Sequence, residues 1–229
     1  DKYYGGNGLV LYANKAFCSL FTCRLVKEEG LGIDVVSGGE LYTAIKADFP
    51  MDKVYFHGNN KSDQEIEMAL DAGIGYFVID NVMECNRLVG LAEKRKRSTK
   101  VLLRINPGIS AHTHEYIMTS KPDSKFGIYI ENKEHIYNVI DTLKESPYIR
   151  LAGFHSHIGS QIIDAESFEK ALGTMIEFLA EMKRSKGLDN LELSIGGGFG
   201  IKYVAEDDPV PLGQMCANLV RYAEEALKK

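Results

Sequence analysis

Short apolar runs alternate with longer amphipathic segments from one end of the chain to the other. The runs cover residues 9–13, 33–36, 54–56, 76–79, 101–105, 149–154 and 191–195. Each is bounded by Gly, Asn, Asp or Pro and is too short for a helix, so each predicts a strand. The segments between them repeat apolar residues at helical spacing. In residues 62–73, Ile66, Ala69, Leu70 and Gly73 share one face, and Ser62 with Glu65 forms a capping box that starts the helix. Seven strand–helix units result.

Continuous apolar strands separated by helices imply a parallel sheet covered by helices, because parallel strands need a crossover and both sheet faces must be buried. The choice is then between an open doubly wound sheet and a closed barrel. Polar or glycine-rich stretches follow nearly every strand: Asn14-Lys15, Ser37-Gly38-Gly39, residues 57–60, Asn106-Pro107-Gly108, residues 155–160 and residues 196–200. A barrel gathers all its strand C-termini at one mouth, whereas an open sheet uses only those beside its switch point. The expectation is therefore an α/β fold of the (β/α)8 TIM type, with seven of its units visible and residues 1–229 forming one incomplete barrel domain.

Composition changes little in this picture but narrows function. With 27 basic and 32 acidic residues the formal charge is −5, which argues against nucleic-acid binding. At 45% hydrophobic and 26% charged, the chain can bury a sizeable core. No apolar run reaches the roughly 20 residues of a membrane span and the first residues lack a signal-peptide order, so no membrane association and a cytoplasmic location are expected. Cys18, Cys23, Cys85 and Cys216 show no metal-ligand spacing and read as reduced thiols.

Several residues after the strands could carry chemistry. Lys15 follows the first run, where apolar neighbours could lower its amine pKa and make it a Schiff-base nucleophile; taken alone it reads as a solvated loop lysine, and the case for chemistry comes from its companions. The run Gly196-Gly197-Gly198-Phe199-Gly200 would let backbone N–H groups wrap an anion, or be a flexible turn. In Phe154-His155-Ser156-His157-Ile158-Gly159-Ser160-Gln161, the two histidines suggest a metal pair or, better, an imidazole stacked on a planar cofactor with a serine hydroxyl near its phosphate. Arg104 and Asp34 lie within apolar strands, so each needs a partner: a local ion pair, or a cofactor and its lysine. His112, His114 and Glu115 fall in the long irregular stretch 106–125 and fix no geometry by themselves; His135 reads as a surface residue.

Together these stretches resemble the diaminopimelate decarboxylases, pyridoxal-phosphate enzymes of the alanine-racemase-like barrel class. The matching segments are LYANKAF around Lys15, GIDVVSGGEL from Gly32, FHGNNKSD from Phe56, LLRINPG from Leu102, HTHEYI from His112, SKFGI from Ser124, FHSHIGSQ from Phe154 and IGGGFG from Ile195. HGNNKSD and FHSHIGSQ are the specific ones, and all run in family order across nearly the whole chain.

The resemblance implies that Lys15 links covalently to pyridoxal phosphate and that His157 stacks on its ring. Ser160 and the backbone around Gly197 and Gly198 would hold the phosphate, with Arg104 and Asp34 supporting cofactor and lysine. The implied reaction removes carbon dioxide from meso-diaminopimelate to give L-lysine, in an enzyme that is a homodimer when complete. Other decarboxylases of the class, acting on arginine, ornithine or carboxynorspermidine, and non-catalytic pyridoxal-phosphate-binding proteins are the alternatives. Family members continue into an eighth strand with an EPGR motif and a β-domain that this sequence lacks, and they carry a helical segment where only Gly8 separates Asn7 from the first strand. The chain is thus expected to be a truncated copy, and none of its four cysteines takes the place of the family's reactive one.

Overall fold

The computed structural model describes residues 5–109 and 125–228. Along the chain lie β1 (Leu11–Ala13), α1 (Leu20–Glu28), β2 (Gly32–Val35), α2 (Gly38–Lys46), β3 (Val54–Phe56), α3 (Asp63–Ala72), β4 (Tyr76–Ile79), α4 (Val82–Arg95), β5 (Thr99–Asn106), β6 (Ile128–Tyr129), α5 (Lys133–Glu145), β7 (Ile149–His155), α6 (Ala165–Lys186), β8 (Glu192–Ser194) and α7 (Leu212–Ala226). All seven expected strands are present. The addition is β6, two residues paired in parallel with the end of β5.

Strand order follows chain order, β1-β2-β3-β4-β5-β7-β8, with β6 pairing only to β5. The reversal that defines the switch point of a doubly wound sheet is absent among the described strands, in keeping with a barrel-type winding. The chain divides into two compact units. The first comprises Asn7–Leu103 and Lys133–Gly153, the second Asp1–Gly6, Arg104–Asn132 and Phe154–Lys229.

In the first unit, β1 to β5 form a parallel ladder whose register aligns Ala13 with Asp34, Asp34 with Tyr55, Tyr55 with Tyr76, and Tyr76 with Lys100. Aligned residues of a parallel ladder share a face. Tyr55 stacks on Tyr76 at 4.2 Å between ring centroids, and the Lys100 ammonium lies 4.2 Å over the Tyr76 ring. These tyrosines, Val78, Leu102 and Ala152 make the small core on this face. The alternate residues Ile33, Val35, Val54, Phe56, Phe77, Ile79, Val101 and Leu103 are completely buried. Burial on both faces is why the strands read as unbroken apolar runs.

Helix starts follow local chemistry. The Ser19, Ser37, Ser62, Asn81 and Asp164 side chains each accept an amide of the first turn of the helix they precede. The Ser62/Glu65 capping box forms as expected. Glu65 goes further: its other carboxylate oxygen accepts the Gly38 amide at 2.6 Å, so one side chain serves the starts of both α2 and α3.

The second unit has its own core of Ile158, Ile162, Phe168, Ala171, Leu172, Met215 and Leu219. Phe168 stacks on Phe199 at 4.6 Å, fixing the glycine-rich segment to α6. Helices α6 and α7 meet closely at Gly173, where a Cβ would stand 2.6 Å from the Tyr222 hydroxyl. No helix among the described residues is long and apolar enough to cross a membrane.

Candidate active site

The first unit carries Lys15 and Asp34. The chain turns directly after β1, closed by the Ala16 amide donating to the Ala13 carbonyl at 3.0 Å. Asn14 is fully buried: its amide donates to the Asp34 carbonyl at 3.1 Å and its side chain meets the Cys23 thiol of α1. Lys15 therefore starts from a fixed backbone position yet is itself exposed. The expected enclosure by apolar neighbours is not found, because Asn14 takes the inward position and the lysine follows on the turn. Its positive charge is felt instead by the carboxyl of Asp34.

Asp34 is half-buried on β2, and its Oδ1 is shielded from solvent with no hydrogen-bond donor among the described residues. Burial pushes its carboxyl up from 3.8 to about 6; the positive charge of Lys15 opposes the rise, Glu40 adds to it, and the Asn14 amide draws it down. The result is a carboxyl that titrates at about 6 while feeling the positive charge of Lys15.

The second unit carries the histidine and glycine segments. Strand β7 ends at His155, whose Nδ1 lies 2.9 Å from Ser194 Oγ at the end of β8. The Ser156 amide donates to the Ser194 carbonyl at 2.8 Å, while the Ser156 hydroxyl is fully buried with no hydrogen-bond partner among the described residues. His157, half-buried, lies against the glycine run. A Cβ at Gly196 (φ +74°) would stand 2.6 Å from the Ser156 carbonyl oxygen and 3.0 Å from His157 Nδ1. One at Gly198 (φ +96°) would overlap the Gly159 carbonyl oxygen and lie 3.2 Å from His157 Cε1. Both positions thus require glycine on two counts, conformation and space.

Farther along, the Ile162 amide donates to the Gly198 carbonyl at 2.9 Å and the Gly200 amide to the Ile162 carbonyl at 2.8 Å. The Gly197 and Gly198 N–H groups bond to nothing among the described residues, and the space over Gly197 is open. Successive free amides on bare backbone form an anion-binding concavity. Ser160 is exposed just beyond His157.

Arg104, in the same unit, is buried on β5 with its guanidinium 4.6 Å over the Phe126 ring. Gly127 (φ +72°) closes against it, since a Cβ there would be 3.0 Å from Arg104 Cγ. The LLRINPG and SKFGI segments are therefore in direct contact. His112, His114 and Glu115 lie outside the described residues. Among the described residues no three His, Cys, Asp or Glu side chains group as a metal site, and His135 is exposed.

Sequence reading missed one buried ion pair. Lys61, within HGNNKSD, is buried and donates to Glu84 Oε1 at 2.6 Å, the Gly58 carbonyl at 2.8 Å and the Val78 carbonyl at 2.9 Å. Glu84 Oε2 in turn accepts the Asp80 amide at 3.0 Å. The pair ties the loop after β3 to β4 and α4. Nothing in the local sequence separates such a lysine from a solvated one.

Each unit by itself carries a feature that pyridoxal-dependent enzymes use: a lysine on a turn in the first, and a glycine run bare enough to take an anion in the second. The chain belongs to that class: residues 2–229 match the family model described as the pyridoxal binding domain of pyridoxal-dependent decarboxylases. The relatives narrow the likeness. The chain is 44% identical over 92% of its length to diaminopimelate decarboxylase of Bacillus methanolicus, and 44% identical over 94% to that of Bacillus subtilis. It spans about half the length of these curated relatives, 49% of each. A crystal structure of Helicobacter pylori diaminopimelate decarboxylase complexed with L-lysine superposes with a TM-score of 0.87 at 28% identity, over 99% of this chain and 56% of that one. The expected α/β fold of the alanine-racemase-like barrel class is borne out.

Proposed function

We propose that this chain is the cofactor-binding part of a diaminopimelate decarboxylase, which converts meso-2,6-diaminopimelate to L-lysine and carbon dioxide with pyridoxal 5'-phosphate. The observation that carries the substrate is the 44% identity to relatives of that name over nearly the whole chain. The residues fit the cofactor. The free Gly197 and Gly198 amides suit a phosphate, the exposed Lys15 amine suits a Schiff-base linkage, and the shielded Asp34 oxygen suits a site that must manage charge.

In this reading Lys15 would hold the cofactor through its Nζ and, when free of it, would hold a proton at that atom for the reacting carbon. Asp34 would support the cofactor and the lysine. His157 would pack on the cofactor's ring, Ser160 and the Gly197 and Gly198 amides would hold its phosphate, and Arg104 would support the cofactor and the lysine. When bound, the cofactor supplies a conjugated ring that accepts the electron pair released as carbon dioxide leaves. A homodimer and a cytoplasmic location belong to the same proposal and rest on the resemblance.

The test is to incubate the complete protein with pyridoxal phosphate and meso-diaminopimelate and to measure lysine and carbon dioxide. Equal amounts of both, lost in Lys15→Ala together with the visible absorbance of the bound cofactor, are expected. Turnover of ornithine or arginine but not of diaminopimelate would overturn the substrate. An unchanged spectrum in Lys15→Ala would overturn the linkage.

A further inference from the structure

The hydrogen bonds behind the glycine run do not include any group proposed above to touch the cofactor. Ser194 stands at their centre. Its hydroxyl is 2.9 Å from His155 Nδ1 and accepts the Gly196 amide at 3.4 Å, while its carbonyl accepts the Ser156 amide at 2.8 Å. Gly196 is the residue whose backbone lies against the His157 ring, and the next two amides are the free ones. His155 is buried, so its ring cannot swing out to water and its bond to Ser194 is held in place. An amide satisfied at Gly196 and unsatisfied at Gly197 and Gly198 is an arrangement aimed at a ligand, because an uncommitted glycine run would turn its N–H groups among several partners.

We propose that His155 and Ser194 are positioning residues for the phosphate end of the site: the His155–Ser194–Gly196 chain fixes the peptide planes that present the Gly197 and Gly198 amides. This rests on the phosphate assignment of the preceding section. Neither residue touches the cofactor. They act by removing the freedom of Gly196 to Gly198, which have no side chains of their own, from the end opposite the Phe199 and Ile162 contacts. Preorganised amides bind an anion without the ordering cost that a mobile loop would meet on binding.

The experiment compares pyridoxal phosphate with pyridoxal, which lacks the phosphate, by equilibrium dialysis against the complete protein freed of cofactor. The unmodified protein should bind pyridoxal phosphate the more tightly; equal affinities would overturn the phosphate assignment itself and the positioning role with it. In Ser194→Ala, affinity for pyridoxal phosphate should fall about tenfold, the scale of one lost hydrogen bond, while that for pyridoxal stays within about twofold. Ser194→Thr keeps the hydroxyl and should restore most of the loss. His155→Phe, which keeps the ring and removes the nitrogen, should show a smaller loss of the same selectivity. An equal loss for both ligands, or none in Ser194→Ala, would overturn the role while leaving the phosphate assignment intact.

Discussion

Asp34→Asn isolates the cost of keeping a carboxylate in β2. In the folded chain burial lifts the Asp34 carboxyl from 3.8 to about 6, against the pull of Lys15. The folded state therefore holds this proton more tightly than the unfolded one. Stability from this group is fullest below about pH 4, falls as pH rises to about 6, and is flat above. About two units at ~1.4 kcal/mol each give roughly 3 kcal/mol of destabilisation at neutral pH. Asparagine has nearly the same shape and no such charge, so the variant should gain most of that. In a domain of this size the gain is about 5–10 °C in Tm. The assay is urea unfolding of both proteins at several values between pH 4.5 and 7.5. Their difference should be small at the acid end and grow to its plateau by about pH 6.5. Comparing the two proteins cancels the opposite titration of Glu65, where burial raises the carboxyl but the Ser62 and Gly38 amides bring it below its usual range. A difference independent of pH, or a variant less stable at pH 7.5, would refute the reasoning.

Two further outcomes separate satisfied from unsatisfied buried groups. Lys61→Met should lower stability by about 3–5 kcal/mol, because it strands the Glu84 carboxylate in the interior, and Lys61→Met/Glu84→Gln should recover much of the loss; additive losses in urea unfolding would refute a coupled pair. Ser156→Ala removes a buried hydroxyl with no partner among the described residues and should raise the Tm of the cofactor-free protein, by about 1 kcal/mol in stability, whereas a fall would mean that the hydroxyl has a partner.

How much of this was legible beforehand differs by element. Strands β3, β4 and β5 are visible because they are covered on both faces, whereas β1 and β8, only partly covered, are marked by the Gly and Asn residues that bound their apolar runs. Strand β1 is shorter than its apolar run: Leu9 and Val10 are 44% and 57% exposed, and the register with β2 begins at Leu11, just after the Val10 carbonyl accepts the Gly32 amide. Hydrophobicity marks what could be buried, and pairing decides what is. β6 was invisible for the opposite reason, since two residues carry no periodicity and its place depends on the end of β5. The capping box at Ser62 and Glu65 was legible as a local pattern; the reach of Glu65 to Gly38, 27 residues back, depends on how α2 and α3 pack.

The candidate residues divide along the same line. Asp34 and Arg104 stood out because a charge inside an apolar strand breaks a rule that sequence can see. Lys61 did not stand out, although it is more deeply buried than Asp34, because its partners Gly58, Val78 and Glu84 come from three separate segments. Once the partners are known, the two cases mean different things. Lys61 and Glu84 satisfy one another and the loop around them, so folding alone accounts for them. The Asp34 oxygen, the Ser156 hydroxyl and the Gly197 and Gly198 amides are polar groups that folding leaves without partners among the described residues. Asp34 lies within β2, and the others follow β7 and β8. Evolution readily removes unsatisfied groups of this kind, because asparagine, alanine or a shifted peptide would serve the fold better. Within each unit, such groups have no account in the fold itself, whereas the Lys61–Glu84 pair does.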